Sequence, residues 1–455
     1  MTDMALQAGE RGLTRGLAAL AAGHGSVPSA VRHAARRSVI DTLGVLLAGR
    51  IEQPVALLDA VLDGGGQARS LALGRRLSAG DAALADGLAA HVLDYDDVAR
   101  HGHPSTVIVP AVLAEAQRLG ASGQAVLDAC AIGHEAWVEL AWREADAYHL
   151  GSWHPTAVLG TIAATTALCA LNRLDEATAA NALALAASFS SGVIANFGSH
   201  AKPLHAGRAA AGAVDALRFA RAGLTGTGDA LEGAHGLMRG ISPGGAVEAQ
   251  APVRAGQGRW AWLAEGLSVK RYPVCYASHR VIDAVLTLAD AAGIAPGDVR
   301  AVVAEIGPAP AATLRHAHPA TGMEARFSLH HNVAAALVDR AVGFAQMNDG
   351  FVRRADVAAL YGLTRIEVVD ADCPDQPGMA ACDRVTIELA DGRRLDSGPV
   401  RHPRGHARLP LTDAELDAKF RDCAAHGGHP DPDRLLERLH AIETVPDLAE
   451  EIAQW

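Results

Sequence analysis

Aromatic residues are scarce in this chain: Phe, Trp and Tyr make up 4% of 455 residues, although 49% are hydrophobic. The apolar content is therefore mostly Ala, Leu and Val, side chains that favour helices or pack closely between them. Cysteine is sparse and scattered. Cys130, Cys169, Cys275, Cys373, Cys382 and Cys423 form no C-x-x-C pair, which argues against a disulfide framework and against a thiolate zinc or iron–sulfur site. Basic residues are outnumbered 40 to 51, for a formal charge of −11, and no Lys/Arg block occurs. Nucleic acid and an anionic membrane are thereby disfavoured as partners, whereas a small anion is compatible with a locally positive pocket. Strongly apolar runs are missing as well. The stretch from Ala177 to Ala201 carries no Asp, Glu, Lys or Arg but is rich in Ala, Ser, Gly and Asn. A membrane span needs about 20 strongly apolar residues, so this stretch reads as a buried helix followed by a turn at a site. The start, MTDMALQAGERGL, has neither the basic head nor the apolar run of a signal peptide, and a cytoplasmic location is expected.

A chain of this length exceeds one hydrophobic core and suggests about two or three units. Beginning at Pro28, the apolar positions Val31, Ala35, Val39, Leu43 and Leu46 recur every three or four residues, the signature of an amphipathic helix with proline near its start. Similar patterns cover 81–93, 107–118, 123–143, 156–171 and 175–187. Past residue 265 the texture changes. Segments 299–306 and 365–370 are rich in β-branched residues, and 384–389 is joined by Ala-Asp-Gly to 394–397, with Asp391-Gly392 as a hairpin signal. Helical patterns at 279–292 and 332–342 interleave with these strands. At Leu411 the pattern turns helical again, and Thr412 with Glu415 predicts a capping box. The expected class is mainly α: a large helical domain from residues 1–265 plus 405–455, and a smaller α+β domain over 266–404.

Four polar clusters interrupt the apolar helices. LDYDDVARHGHPS carries Asp94, Asp96, Asp97, His101 and His103; taken alone, it also fits a helix end followed by a cap. GSWHPT places His154 before Pro155 at a helix entrance. NFGSHAKPLHAGRAA puts Lys202, His205 and Arg208 behind a Gly-Ser turn, where backbone N–H groups and a lysine suit an anion, or where a solvated lysine would also sit. VKRYPVCYASH offers Lys270, Arg271, Tyr276 and His279. Cys275 lies among these cations, but a small buried hydrophobe is the favoured reading of it.

In order and spacing, D-Y-D-D then HPS, WHPT, KPLHAGRAA, K-R-Y-P-V-C and A-R-F-S-L resemble the MmgE/PrpD family, which includes 2-methylcitrate dehydratase, cis-aconitate decarboxylase and iminodisuccinate epimerase. The resemblance runs from DTLGVLLAG at Asp41 to LTDAELDAKF at Leu411. It implies a large helical domain with a smaller α+β lid domain, a homodimer, and a lyase, or alternatively an epimerase, acting on a small di- or tricarboxylate without metal or organic cofactor. Dehydration of a 2-methylcitrate-like hydroxy acid is the first expectation; epimerisation of an iminodisuccinate-like diacid and decarboxylation of a cis-aconitate-like acid are the alternatives. Carried over by motif, the catalytic set is His103, Asp94, His154, Lys202 and Lys270, with Arg208, His279, His331 and Val98 added to Lys202 and Lys270 for substrate binding.

The chemistry suits those residue types. Removing a proton beside a carboxylate builds a charge-rich, enolate-like state that fixed positive donors stabilise, the part expected of Lys202 and Lys270. Histidine exchanges protons near neutral pH, which makes His103 the leading acid/base, with Asp94 orienting a histidine and His154 shuttling a proton or binding a carboxylate. Two positions depart from the family pattern: Val98 stands where the decarboxylase-like pattern has Thr, and His331 where many relatives have Tyr. From other classes, a metal-dependent hydrolase could use His101-Gly102-His103 with Asp96, Asp97, His330 and His331, although Pro104 and the preceding helical pattern disfavour an H-x-H strand. A noncatalytic carboxylate-binding protein would keep the lysines but lose the acid/base group.

Overall fold

The computed structural model describes residues 12–23, 25–100, 102–256, 258–373 and 378–455; His101 and most of the N-terminal MTDMALQAGERGL segment fall outside them. Helices α1 (Leu13–Gly23), α2 (Ser29–Gly49), α3 (Ala79–His91), α4 (Ser105–Leu119), α5 (Gly123–Ala141), α6 (Pro155–Leu171), α7 (Glu176–Ala187) and α8 (Ala201–Arg221) come first in the chain. Between α2 and α3 lie a short helix (Gln53–Asp59) and the two-residue strands β1 (Ala68–Arg69) and β2 (Arg76–Leu77). Then follow α9 (His279–Ala292), β3 (Val299–Ile306), α10 (Leu329–Val338), β4 (Thr364–Val368), β5 (Arg384–Leu389), β6 (Arg394–Asp396) and α11 (Asp413–His426), with shorter helical turns between. The protein is mainly α. Its chain forms two compact units, one of Met1–Leu267 with Thr412–Trp455, the other of Ser268–Leu411.

In the first unit the helix starts follow from side-chain oxygens that accept orphaned backbone N–H groups. Ser78 caps α3, Ser122 caps α5 and Asp175 caps α7. Thr412 and Glu415 close the capping box of α11, and α11 returns to pack on α2. Helix α6 is buried along its whole length and packs against α4, α5, α7 and α8. Its threonines tolerate this because Thr161, Thr165 and Thr166 donate their hydroxyls to carbonyls one turn back, at 2.7–2.9 Å. Helices α3 and α8 approach most closely at two glycines: a Cβ on Gly87 would lie 3.0 Å from the Cα of Gly207. The charge-free stretch from Ala177 is less buried than expected. Helix α7 buries only one side, and 188–200 is largely exposed, including Phe189 and Val193.

The second unit is built on a sheet of order β4-β3-β5-β6, with β3 parallel to β4 and antiparallel to β5. Asp391-Gly392 makes the β5–β6 turn, Gly392 taking a φ of 89° that suits glycine. Val302, Ala304 and Ile306 of β3 and Val385, Ile387 and Leu389 of β5 join α9 and α10 in one core. Helix α10 begins at Leu329, three residues before the predicted start, because Ser328 accepts from the His331 N–H. Among the described residues no helix is long and apolar enough to cross a membrane.

Candidate active site

Helix α3 ends at His91, and Asp94, three residues on, adopts a left-handed φ of 51°, a conformation aspartate tolerates better than most residues. Its carboxylate accepts a hydrogen bond from the Lys202 ammonium, Oδ1 to Nζ 2.6 Å, with both side chains about nine-tenths buried. Lys202 stands in the first turn of α8, over the ring of Phe197. His103 lies on the other side of the same carboxylate, Nε2 3.8 Å from Asp94 Oδ1.

The proton on His103 is fixed by its neighbours. Nδ1 faces the Asp97 backbone carbonyl at 2.9 Å and Asp96 Oδ2 at 3.2 Å, and both are acceptors. Nδ1 therefore carries a hydrogen, and Nε2 is the nitrogen that faces Asp94. The Thr156 hydroxyl accepts from the backbone N–H of His103 at 3.2 Å and holds the segment to the start of α6. Asp96 also accepts from His91 Nδ1 at 2.9 Å. Burial alone would raise the Asp96 pKa, but the imidazoles of His91 and His103 hold it well below the carboxylate range. Burial also dominates at His91, lowering it to about 4 against the pull of Asp96, so His91 is neutral. The result is one buried anion that orients two imidazoles.

His154 caps the start of α6, its N–H donating to the Gly192 carbonyl at 2.9 Å. Its ring stacks 5.7 Å from that of His91, meets Phe197 edge-on and shares a 3.2 Å Nδ1–Nδ1 hydrogen bond with His205. Burial, reinforced by neighbouring positive groups including Lys202, lowers the His154 pKa well below the ordinary range.

Residues 17–250 match the model of the MmgE/PrpD N-terminal domain, and residues 272–442 that of the MmgE/PrpD C-terminal domain. The chain belongs to the MmgE/PrpD family. It is similar to cis-aconitate decarboxylase from Homo sapiens, 27% identical over 361 residues that cover 76% of this chain and 72% of that protein. It is also similar to the Mus musculus protein of the same name, 26% identical over 359 residues, covering 76% and 71%.

Of the residues expected from sequence, Asp94, His103, His154 and Lys202 converge in the first unit of this family member, linked directly or through His91. Arg208 does not join them: it lies on the exposed side of α8. Val98 is half-buried and offers no polar atom beyond its backbone. In the second unit Lys270 is buried, and His279 packs between the rings of Tyr272 and Tyr276. His331 is a core histidine whose Nε2 donates to the Gln346 carbonyl and whose Nδ1 faces the Tyr361 hydroxyl, each at 2.9 Å.

Two supports, His91 and Lys419, were not singled out in the sequence, and a third, Asp96, was singled out without its role. His91 sits in the apolar pattern of α3, and its only signal is a polar side chain on a buried face. Asp96 was visible in D-Y-D-D, but not its role between two imidazoles. Lys419 on α11 pairs with Asp41 at 2.6 Å, donates to the Tyr95 carbonyl at 2.9 Å and lies over the Tyr95 ring, bracing the loop that carries Asp94 and Asp96. Ligand atoms of His91, Asp94, Asp96 and His103 lie within 4.8 Å of one another, as a metal would require. In this arrangement Asp96 is engaged by both imidazoles and Asp94 by the Lys202 ammonium, so hydrogen bonds and a resident cation already serve these donors.

Proposed function

We propose that this chain is a lyase that acts on a small di- or tricarboxylate by acid/base chemistry carried by its own side chains. The observation that carries the reading is the orientation of His103, held at Nδ1 by two acceptors so that Nε2 lies beside the Lys202–Asp94 pair. Breaking a bond next to a carboxylate leaves an electron pair that must be stabilised and then protonated. The ammonium supplies fixed positive charge without reorganisation, and the His103 imidazole moves the proton. Lys270, in the second unit, is a candidate of its own for carboxylate binding, and a homodimer is the expected state of the chain, testable by mass measurement in solution.

The similarity to cis-aconitate decarboxylases makes an unsaturated tricarboxylate such as cis-aconitate the first substrate to try. Dehydration of a 2-methylcitrate-like acid is the second reading, favoured by Val98, which lacks the hydroxyl of the decarboxylase-like pattern. The test is proton NMR of the purified protein in D2O with cis-aconitate, citrate, 2-methylcitrate, iminodisuccinate and related diacids. Loss of CO2 or water from one of them supports a lyase and names the reaction. Deuterium exchange or epimerisation without elimination points to the epimerase branch. Tight binding with neither exchange nor product would overturn the catalytic reading in favour of a binding protein.

A further inference from the structure

We infer that Asp97 is a positioning residue for His103 and that it acts as a neutral carboxylic acid, its Oδ2–H donating to the Ser105 hydroxyl oxygen across the turn that carries His103. The effect on turnover rests on the lyase reading above; the placing of the hydrogen does not. Asp97 and Ser105 stand at the two ends of that turn, and Ser105 opens α4. Asp97 Oδ2 lies 2.5 Å from Ser105 Oγ, which in turn lies 2.8 Å from Nε2 of His134 on α5. All three side chains are buried. The backbone carbonyl of Asp97 accepts from His103 Nδ1 at 2.9 Å, so a shift of residue 97 is passed directly to the His103 ring.

Counting hydrogens along the chain decides its direction. His134 Nδ1 lies 2.7 Å from the Cys130 carbonyl, one turn back on α5, and a carbonyl only accepts. Nδ1 therefore holds a hydrogen. In a neutral ring Nε2 is then an acceptor, and the Ser105 hydroxyl gives its single hydrogen to it. Toward Asp97, Ser105 Oγ has only lone pairs left, so the hydrogen across the 2.5 Å gap belongs to Asp97. The opposite arrangement, an imidazolium donating to Ser105 and a carboxylate accepting from it, holds the same number of hydrogens. It would leave a charged oxygen bare, because Asp97 Oδ1 is buried without a hydrogen-bond partner among the described residues, and a bare carboxylate oxygen costs more than the carbonyl oxygen of a neutral acid. Asp96, already an anion, and Asp41, the partner of Lys419, would repel the added charge. Burial acts in the same sense at both ends, pushing Asp97 up to about 8 and lowering His134 to about 4. Of the three aspartates in D-Y-D-D, Asp94 meets an ammonium, Asp96 meets two imidazoles, and Asp97 closes a turn without adding charge.

Nitrogen-15 NMR of the full wild-type chain at neutral pH reads the hydrogens with no substrate and no variant. A His134 ring with a bare Nε2 supports the assignment; a hydrogen on Nε2 overturns it. Two variants then test the positioning. Asp97→Asn keeps an N–H donor to Ser105 on an uncharged side chain, whereas Asp97→Ala removes it. The expected result is slow solvent exchange of the His103 Nδ1 proton in the wild type and the Asn variant, and fast exchange in the Ala variant. On the panel member that the wild type turns over, kcat should fall roughly 10- to 100-fold in the Ala variant with KM nearly unchanged, and Asn should restore most of that loss. Equal losses in the two variants overturn the neutral acid, because an amide can replace only that form. Slow exchange and wild-type kcat in the Ala variant overturn the positioning role. The wild-type spectrum and the Asn variant decide the matter even where the Ala variant does not fold. Failure of every panel substrate with the wild type counts against the lyase reading, while the two NMR measurements still judge Asp97.

Discussion

Replacing Gly207 by Ala tests whether the closeness of α3 and α8 sets the geometry of the site. A Cβ at 207 would fall 2.2 Å from the Leu84 carbonyl oxygen, a backbone atom that no rotamer change can move. Restoring ordinary contact requires the helices to part by roughly 1 Å. Alanine gains about 1 kcal/mol of helix propensity over glycine, and overpacking costs about 1–3 kcal/mol, so net stability falls only slightly. Activity is a different matter. Lys202 is five residues before Gly207 on α8, and Asp94 follows the end of α3, so parting the helices pulls at their 2.6 Å pair. A displacement of about 1 Å can cost on the order of 100-fold in rate. The expected signature is a drop of a few degrees in Tm together with a disproportionate loss of turnover. Gly212→Ala is the control: on the same helix, its Cβ would meet the Phe189 side chain at 3.3 Å, on an exposed loop that can yield. A Gly207→Ala protein with wild-type Tm and wild-type turnover would refute the reasoning.

His103→Gln should lower turnover by about 100- to 10,000-fold with little change in Tm; retention of normal turnover would remove the central acid/base assignment. Asp96→Asn should reduce turnover by on the order of 100-fold, because an amide N–H cannot accept from a ring nitrogen that must itself donate; the check is kcat at unchanged substrate affinity. Burial, aided by Asp41 and Asp96, raises the Asp97 pKa to about 8. Its folded value exceeds the unfolded one, so the folded state holds an extra proton between them, and stability falls as pH rises from about 4 to about 8, by up to about 1.4 kcal/mol per unit. Asp97→Asn should flatten that decline in denaturation curves; an unchanged slope would place the cause elsewhere. Thr412→Ala removes the hydroxyl that accepts from Glu415 N–H and should cost about 1 kcal/mol, read as a shift in the denaturation midpoint.

Much of the fold is legible because periodicity and caps act locally. α9, β3 and β5 occupy the predicted 279–292, 299–306 and 384–389, and the Thr412–Glu415 box closes as read. Start points shifted where a side chain competed, as when Ser328 captured the first turn of α10. The site was legible as a set of motifs, not as geometry. Asp94 with His103, His154 and Lys202 come from three separated segments, and only packing such as the Gly87–Gly207 approach brings them together. His91 was hidden by its place in an apolar helix, and a histidine held inside a core, as His331 is, looks in sequence like one that meets a ligand. DTLGVLLAG and LTDAELDAKF marked the two ends of a resemblance; the Asp41–Lys419 pair shows that they are neighbours in space.

That pair also makes the protein dependent on the order of its own synthesis. Asp94 and Asp96 are translated early, yet the lysine that braces their loop through the Tyr95 carbonyl arrives more than 300 residues later. A nascent or prematurely terminated chain can hold every acid/base group of the first unit and still lack the brace that sets their positions. The position of the Asp94–Asp96 loop therefore depends on a residue that the ribosome adds more than 300 residues after it.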